Sequence, residues 1–344
     1  MTARFLFSAN YLKVCYNKPY KTKTEDIMDY SQILSQQFNI KEEYAKNIIT
    51  LLDDGNTIPF IARYRKEMHG SMDDQLIREF AEKLEYLRGL DKRRDEIRSL
   101  IDAQEKLTDE INLALDKAAT LSELEDIYRP YRPKRKTRAS IAKEKGLEPL
   151  ANNILKQEKG FDPSKSAVDY IDEEKGVTSV EDAIQGAMDI IAELVSDNAE
   201  IRKRIRNLTN ANGVLVSVAT DEEKDSVYKN YYDYKEPVKK IAGHRVLAVN
   251  RGEKEGFLKV SVETDSEKPL NSIFRAMITD KNQLCSDIIR EACTDAYQRL
   301  IYPSIEREVR NDLTDTASEN AMKVFAVNLK QLLMQPPVKG KTVL

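Results

Sequence analysis

The densest cluster of side chains that could do chemistry lies between residues 129 and 143. Within it, the segment RPKRKTR has five basic residues in seven, and two tyrosines, Tyr128 and Tyr131, stand beside them. Guanidinium and ammonium groups next to aromatic rings suit contacts with the phosphates and bases of a nucleic acid. The basic residues of the cluster are Arg129, Arg132, Lys134, Arg135, Lys136, Arg138 and Lys143.

A charged segment of this kind has a second interpretation as a solvated loop. Runs of charge commonly form an exposed surface, and their arginines can cap helix ends or pair with acidic neighbours. The net charge of the chain is −3, so any attraction to nucleic acid must come from a local basic surface. The residues alone leave open a phosphate contact, a contact with another protein domain and a structural loop.

Two further basic clusters are weaker candidates. Arg63, Arg65 and Lys66 follow the apolar run IPFIA and form a second candidate nucleic-acid contact. Residues 202–206 carry four basic side chains at the predicted end of a helix, where positive charge complements the helix dipole. A structural role is favoured for both clusters.

Residues suited to catalysis or metal binding are sparse. The chain has two histidines, His69 and His244, and lacks the nucleophile elbow, P-loop, dinucleotide and zinc-protease motifs. His244 has no cysteine or acidic partner at metal-ligand spacing. We therefore predict a protein that is not an enzyme and uses no metal or cofactor. A metal-dependent nuclease with carboxylates from separate elements stays open as a third hypothesis.

The composition predicts a helical protein of the cytoplasm. Of 344 residues, 41% are hydrophobic and 33% charged, and tryptophan is absent; few glycines and prolines favour helices over a turn-rich β fold. The three cysteines form no CxxC pair, which fits a reducing compartment. Cys285 and Cys293 recur at helical spacing and are predicted to fill the core. No apolar run approaches the roughly 18 residues of a membrane helix.

The basic segment is predicted to join two short helices. Ser122 and Glu125 have the spacing of a capping box, so a helix is expected to start at Ser122. Pro130 and Pro133 end that helix, because proline lacks the N–H group and disfavours helical geometry in the preceding residue. The chain is expected to re-enter a helix through Ser140.

Apolar residues spaced by three and four predict helices in most of the remaining chain. One helix is expected to be capped by Ser71 and to continue to about Gln104. Another begins with a capping box of Thr178 and Glu181 and is expected to run unbroken to about Leu208.

The exception is a small β element predicted near residues 212–264. Residues 214–218 form a β-branched run, and residues 257–262 alternate apolar with polar side chains, both typical of strands. Periodicity does not decide between strand and helix for residues 244–250. Four tyrosines within the element have the spacing of a half-buried helix face: Tyr228, Tyr231, Tyr232 and Tyr234.

Four separate segments resemble, in the same order, the N-terminal region of the Tex family, bacterial RNA-binding transcription accessory factors. The resemblance covers roughly residues 28–344. Four segments in the same order make a much stronger match than a basic patch alone would. The segments are IPFIARYRKE (58–67), LEDIYRPYRPKRKTRASIAKEKGLEPLA (124–151), HRVLAVNRGEKEG (244–256) and VFAVNLKQLLMQPPVKGKTVL (324–344).

The resemblance implies a mainly α, multi-helical bundle with a helix-turn-helix-like subdomain. It also implies ribonuclease H-like, helix-hairpin-helix and RNA-binding OB-fold domains beyond the point where this sequence ends. We expect residues 1–27 to be a disordered extension, 28–175 the N-terminal helical region, 176–335 a second helical lobe with the β element, and 336–344 part of a linker. The internal boundary rests on the looser composition of residues 158–176.

The sequence therefore predicts a non-enzymatic transcription accessory factor that binds RNA or DNA without sequence preference. RNA polymerase or other transcription proteins are further expected partners, and no membrane association is expected. The alternative is a helical scaffold that docks on RNA polymerase or on the other Tex domains, because a helix-turn-helix-like fold does not by itself imply nucleic-acid binding.

Overall fold

The structure, a computed structural model, describes residues 23–133, 135–279 and 281–335 together with Gly340, and it describes side chains from Tyr30 onward. The expected disordered extension lies outside the described residues apart from residues 23–27, which begin the first helix. The expected linker, residues 336–344, lies outside them apart from Gly340.

The chain divides into two compact units. The N-terminal unit ends at Leu121 and the C-terminal unit begins at Ser122. Residues 122–175, assigned to the first region from sequence, group with the second unit because their apolar side chains pack on a later helix. The domain bounds expected from the sequence, residues 28–175 and 176–335, stay a prediction.

The N-terminal unit is helical throughout its described part. In chain order the helices are α1 (Lys23–Phe38), α2 (Glu42–Asp53), α3 (Ile58–Tyr64), α4 (Lys66–His69), α5 (Asp74–Asp102) and α6 (Asp109–Lys117). The apolar core of this unit is built from α1, α2, α3 and α5, which contribute fully buried residues such as Leu34, Ile48, Ile61 and Phe80.

The cap of α5 differs from the predicted one. The side chain of Asp73 accepts a hydrogen bond from the Leu76 amide at 2.8 Å, whereas Ser71 has a φ of +62° and precedes the cap. A carboxylate at this position also interacts favourably with the positive end of the helix dipole. Ser71 is therefore not the cap, although the end at Asp102 is close to the predicted one.

Gly70 ends α4 in a left-handed conformation, with φ of +66°, against the ring of Tyr44. A β-carbon there would lie 2.5 Å from Tyr44 Cε2. We expect Gly70→Ala to lower the free energy of unfolding by about 2–3 kcal/mol, from the strained φ and the overpacking. Urea denaturation followed by circular dichroism measures this.

Gly55→Ala is the matched control for Gly70→Ala. Gly55 also has a left-handed φ, +80°, but a β-carbon there would meet nothing within 4 Å. Gly55→Ala should therefore lower the free energy of unfolding by only about 1 kcal/mol, from the strained φ alone. Equal losses for the two variants would contradict a role for the Tyr44 contact.

The C-terminal unit holds the remaining helices and the described strands. Shorter 3₁₀ turns cover Arg129–Tyr131, Val168–Tyr170 and Lys229–Tyr231, and a π turn, Ala296–Ile301, joins the last two helices. The elements are α7 (Leu121–Tyr128), α8 (Arg138–Glu144), α9 (Glu148–Lys156), α10 (Pro163–Ala167), α11 (Val180–Ser196), α12 (Ala199–Asn212), β1 (Val214–Ala219), β2 (Asp233–Pro237), α13 (Gly243–Lys254), β3 (Leu258–Glu263), α14 (Glu267–Met277), α15 (Gln283–Asp295) and α16 (Tyr302–Leu333).

The core of this unit surrounds α11. Ala187 and Ile191 of α11 are fully buried in a cluster that includes residues of α8, α9 and α15. Cys285 and Cys293 are free thiols inside this core, and burial raises the pKa of Cys293 to about 12. The prediction that these cysteines fill the core is confirmed.

The long helix predicted to reach Leu208 is two helices. The Asn198 side chain accepts a hydrogen bond from the Ile201 amide at 3.0 Å and so caps a new helix, α12, after α11 ends. The start of α11 also shifts by one residue, because Ser179 rather than Thr178 accepts from the Asp182 amide. Asparagine competes well for cap positions, which is why the apolar spacing alone was misleading here.

The predicted β element is a three-stranded antiparallel sheet with strand order β2-β1-β3. Buried residues of β1 and β3 pack with Val249 of α13, so residues 244–250 are helical. The tyrosine-rich segment is not the predicted helix face: it is a 3₁₀ turn followed by β2. The mainly α fold with a small β element is confirmed, and no described helix is long and apolar enough to cross a membrane.

Candidate nucleic-acid interface

The basic segment of residues 129–143, here called the basic turn, contains the connection from α7 to α8 and most of α8 itself. The helix α7 begins at Leu121, so Ser122 lies inside it and is not its cap. Leu124 and Tyr128 bury the apolar side of α7, and Pro130 stands in the 3₁₀ turn that follows. The two prolines thus direct the chain out of α7 as predicted.

A buried carboxylate fixes the start of the basic turn. Asp126 Oδ1 accepts a hydrogen bond from Arg202 Nε at 2.6 Å, and Oδ2 accepts one from Arg206 Nη2 at 2.5 Å. The side chains of Asp126 and Arg202 are 4% and 1% exposed. This pair is therefore largely removed from water, where a charge without its partner is strongly destabilising.

The two arginines that bind Asp126, here called together the Asp126 anchor, also contact α16. Arg206 Nε donates to Glu308 Oε1 at 2.6 Å, and Arg202 Nη2 donates to Ser304 Oγ at 3.0 Å. Burial alone would lower the pKa of Arg206, but the hydrogen bonds to Glu308 and Asp126 outweigh it and raise the pKa. These contacts tie three helices, α7, α12 and α16, at the base of the basic turn.

The four basic residues of 202–206 do not have the predicted role. They lie within the first eight of the 14 residues of α12 and not in its last turn, so they do not complement the negative end of the dipole. Arg202 and Arg206 hold Asp126, and Lys203 Nζ lies 2.7 Å from Glu123 Oε1. The local sequence does not indicate that these arginines bind a buried carboxylate. Asp126 and Arg202 are 76 residues apart, so only the tertiary structure shows that they pair.

Thr137 fixes the point at which the connection from α7 enters α8. Its Oγ1 accepts from the Ser140 amide at 3.0 Å and Ser140 Oγ accepts from the Thr137 amide at 2.8 Å, which is a capping box at the start of α8. Thr137 Oγ1 also donates to Glu193 Oε1 of α11 at 3.1 Å. Ala139 and Ala142 of α8 are buried. The connection from α7 to α8 is thus held on both sides by the core of its unit.

Most predicted binding residues of the basic turn point to solvent. The exposed ones are Arg132, Arg135, Lys136, Arg138 and Lys143, while Lys134 lies outside the described residues. Lys136 Nζ is 3.7 Å from Glu144 Oε2, and Lys143 Nζ is 3.7 Å from Glu148 Oε1. Such exposed ion pairs contribute little, so both lysines could exchange their partners for a phosphate.

The three exposed arginines differ from these lysines. Among the described residues, Arg132, Arg135 and Arg138 have no carboxylate within 4.0 Å. Their planar guanidinium groups, with donors in a fixed fork, match the geometry of phosphate oxygens. The basic turn therefore carries three arginines without a directly bound acid, in a segment whose connection between α7 and α8 is held on both sides by Asp126 and Thr137.

Arg129 stands apart from the other predicted residues. Its Nε is 4.0 Å from Asp126 Oδ1, with 37% of the side chain exposed. Burial and the neighbouring charge of Arg202 lower its pKa. The structure places it at the rim of the Asp126 anchor, and its contact with a phosphate stays a prediction.

The second candidate cluster lies in the N-terminal unit. Arg63, Arg65 and Lys66 are all exposed at the junction of α3 and α4. In the described part of the chain, no ion pair holds any of the three. They form a basic surface of their own.

The two arginines near His244 make ordinary surface ion pairs. Arg245 Nη1 lies 3.0 Å from Glu236 Oε2, and Arg251 Nε lies 2.9 Å from Glu255 Oε1, while His244 is exposed. Where the structure describes side chains, no group of three or more His, Cys, Asp or Glu residues could hold a metal ion. No cofactor site is therefore assigned to these residues.

Comparison with known proteins gives two family matches along the chain. Residues 28–102 match the Tex-like protein N-terminal domain, and residues 158–325 match the Tex central region. Together the two matched ranges cover more than two thirds of the chain.

Curated relatives match over nearly its whole length. The uncharacterized protein YdcI of Bacillus subtilis is 44% identical over 324 residues, 92% of this chain and 45% of YdcI. The transcriptional accessory protein Tex of Neisseria gonorrhoeae is 35% identical over 328 residues, 92% of this chain and 42% of that protein. The human S1 RNA-binding domain-containing protein 1 is 31% identical over 342 residues, 94% of this chain and 34% of that protein.

The chain spans less than half the length of these relatives. The two family regions follow each other in the chain, and these relatives match across both of them. The chain therefore belongs to the Tex family, whose N-terminal and central regions it carries.

Proposed function

We propose that this chain belongs to a transcription accessory factor and that its basic turn binds the phosphate backbone of RNA or DNA without reading sequence. The observation that carries the proposal is the set of three exposed arginines, Arg132, Arg135 and Arg138, which have no carboxylate within 4.0 Å among the described residues. Asp126 and Thr137 hold the connection between α7 and α8 on both sides.

The geometry favours contacts with phosphates over contacts with base edges. Phosphate contacts position a protein on nucleic acid but carry no sequence information. The basic turn ends in α8, a helix of 7 residues whose Ala139 and Ala142 are buried in the unit, so that side of α8 is not free to enter a groove. The proposed role is binding alone, with no covalent chemistry.

The names of two relatives support this role. One relative is a transcriptional accessory protein and another is an S1 RNA-binding domain-containing protein. We propose a cytoplasmic protein with nucleic acid as its main partner and with RNA polymerase or other transcription proteins as further partners.

Fluorescence anisotropy of the full chain tests the proposal. The probes are a 20-nucleotide single-stranded RNA, the DNA strand of the same sequence and the DNA duplex, each titrated from 50 to 200 mM KCl. Three to five phosphate contacts should give a slope of log K against log salt of about −2 to −4, because each contact releases condensed counterions. Absent binding at 50 mM KCl, or binding insensitive to salt, would contradict the proposal.

A protein-docking scaffold is the second candidate, and the C-terminal half of α16 favours it. Phe325, Leu332 and Leu333 of this 32-residue helix are 66%, 62% and 74% exposed. Apolar patches of this kind commonly mark protein contacts. Capture of purified RNA polymerase by the full chain, together with negative anisotropy titrations, would favour the scaffold over nucleic-acid binding.

A further inference from the structure

An aromatic pair lies on the outer side of α3, away from the core of the N-terminal unit. Phe60 and Tyr64 stand one helical turn apart, with ring centroids 5.3 Å apart and ring planes tilted by 42°. Tyr64 is 63% exposed, although a tyrosine ring is large and mostly apolar. Ile61 is the residue of α3 that is fully buried, so the fold does not need Tyr64 for its core.

Three basic residues stand next to this aromatic pair in the sequence. The guanidinium carbon of Arg65 lies 5.4 Å from the centroid of the Phe60 ring, and Arg63 and Lys66 are exposed beside it. Glu67, the one acidic residue of residues 58–69, forms no ion pair with them in the described structure. The patch therefore combines an open ring with three uncompensated positive charges.

The backbone under the patch is well supported. A ring nitrogen of buried His69, Nε2, lies 3.1 Å from the Ile61 carbonyl oxygen, which ties α4 to α3. Asn47 Nδ2 donates to the Met68 carbonyl oxygen at 2.9 Å, which ties α4 to α2. Phe60, Tyr64 and the cations are thus presented from a framework that substitutions at position 64 should leave intact.

We propose that Tyr64, with Phe60 behind it, stacks on an unpaired base of single-stranded RNA or DNA, while Arg63, Arg65 and Lys66 hold the adjoining phosphates. This site is separate from the basic turn and rests on the proposed function only in that the ligand is a nucleic acid. A base in a duplex is already stacked on both faces, so the site distinguishes single strands from duplexes.

The chemistry favours a base over a protein partner. Tyrosine and arginine are also frequent in protein interfaces, but lysine is depleted there, and charge is depleted at the interface core. Here one guanidinium lies against a ring of the pair and two further exposed cations are its neighbours in sequence, and none of the three forms an ion pair in the described structure. Stacking on aromatic rings within a positively charged groove is the common means of holding single strands, and it tolerates every base because each has a π face.

The test uses the full chain with two variants, Tyr64→Leu and Tyr64→Phe. Affinity is measured by anisotropy for a 12-nucleotide single strand, for an abasic strand with the same phosphates, and for a 12-base-pair duplex. We expect Tyr64→Leu to bind the single strand about 5- to 150-fold more weakly, as loss of one stacked base predicts. Tyr64→Phe should keep wild-type affinity, and the abasic strand and duplex should bind both variants and wild type equally.

The outcomes separate this proposal from the one on the basic turn. Wild-type affinity of Tyr64→Leu for the single strand, or an equal loss on the abasic strand, would overturn stacking while leaving the basic turn unaffected. Loss of affinity in Tyr64→Phe would show that the hydroxyl group matters and not the ring. A wild-type chain that binds none of the three probes would overturn both proposals. Far-ultraviolet circular dichroism confirms that each variant is folded.

Discussion

Replacing Asp126 by asparagine is expected to lower the free energy of unfolding by about 3–5 kcal/mol, because it leaves Arg202 charged and buried without its carboxylate. Arg202 is 1% exposed and already has one nitrogen, Nη1, without a hydrogen-bond partner in the described structure. Water therefore has little access to the Arg202 guanidinium and cannot solvate it in place of the lost carboxylate. Asp126 also binds Arg206, so a single substitution disturbs two arginines.

Urea denaturation followed by circular dichroism measures this loss, since the chain contains no tryptophan for fluorescence. Glu222→Gln is the matched control, because it makes the same carboxylate-to-amide change at an exposed position and should stay within about 0.5 kcal/mol of wild type. Adding Arg202→Met to Asp126→Asn should recover part of the loss by removing the unpaired charge. A single variant as stable as the control would show that the pair does not stabilise the unit.

Replacing Arg132, Arg135 and Arg138 together by glutamine is expected to weaken nucleic-acid binding about 100- to 500-fold at 100 mM salt. Each phosphate contact contributes about 0.7–0.9 to the salt slope, so removing three of them gives this factor and should flatten the slope by about 2–3. Stability should change little, because none of the three has an ionic partner in the described structure. Anisotropy titrations at several salt concentrations measure both effects.

The control for this variant is a triple substitution of exposed lysines elsewhere in the same unit, Lys165, Lys229 and Lys254, to glutamine. It changes the net charge by the same amount without touching the basic turn. We expect it to lower affinity much less, because phosphates contact the turn directly while distant charges are screened beyond about 10 Å at 0.1 M salt. Equal losses in the two triple variants would assign binding to general charge and would remove the special role of the turn.

The Asp126 variant also tests whether anchoring matters for binding. Asp126→Asn leaves all three exposed arginines in place but weakens the contact that fixes the start of the turn. If the arrangement of the arginines matters, Asp126→Asn should lower affinity even under conditions where the chain stays folded, because ordering a loose turn on the ligand costs conformational entropy.

Local sequence patterns were enough for much of the fold and for the location of the candidate site. Apolar spacing predicted α5 to within a few residues of its end, and alternation predicted β3. Residue type predicted that Cys285 and Cys293 would be buried. These features depend on neighbours within a few positions, which a sequence shows directly.

Patterns failed where two local signals competed. The apolar stripe continues across Asn198, yet its side chain caps α12 and breaks the helix. Ser71 and Asp73 are both acceptable caps, and the electrostatic preference of the helix start for a carboxylate favours Asp73. The tyrosine spacing near residue 230 fitted a helix, but pairing of β2 with β1 gave the strand.

The sequence by itself determined that this is a mainly helical member of the Tex family with a basic segment between two short helices. Only the tertiary structure decided which cations are available to a ligand: Arg202 and Arg206 are committed to Asp126, while Arg132, Arg135 and Arg138 face solvent. The physical reason is that burial and ion pairing join residues about 80 positions apart. No local pattern records whether a charge is paired inside the protein or exposed at its surface.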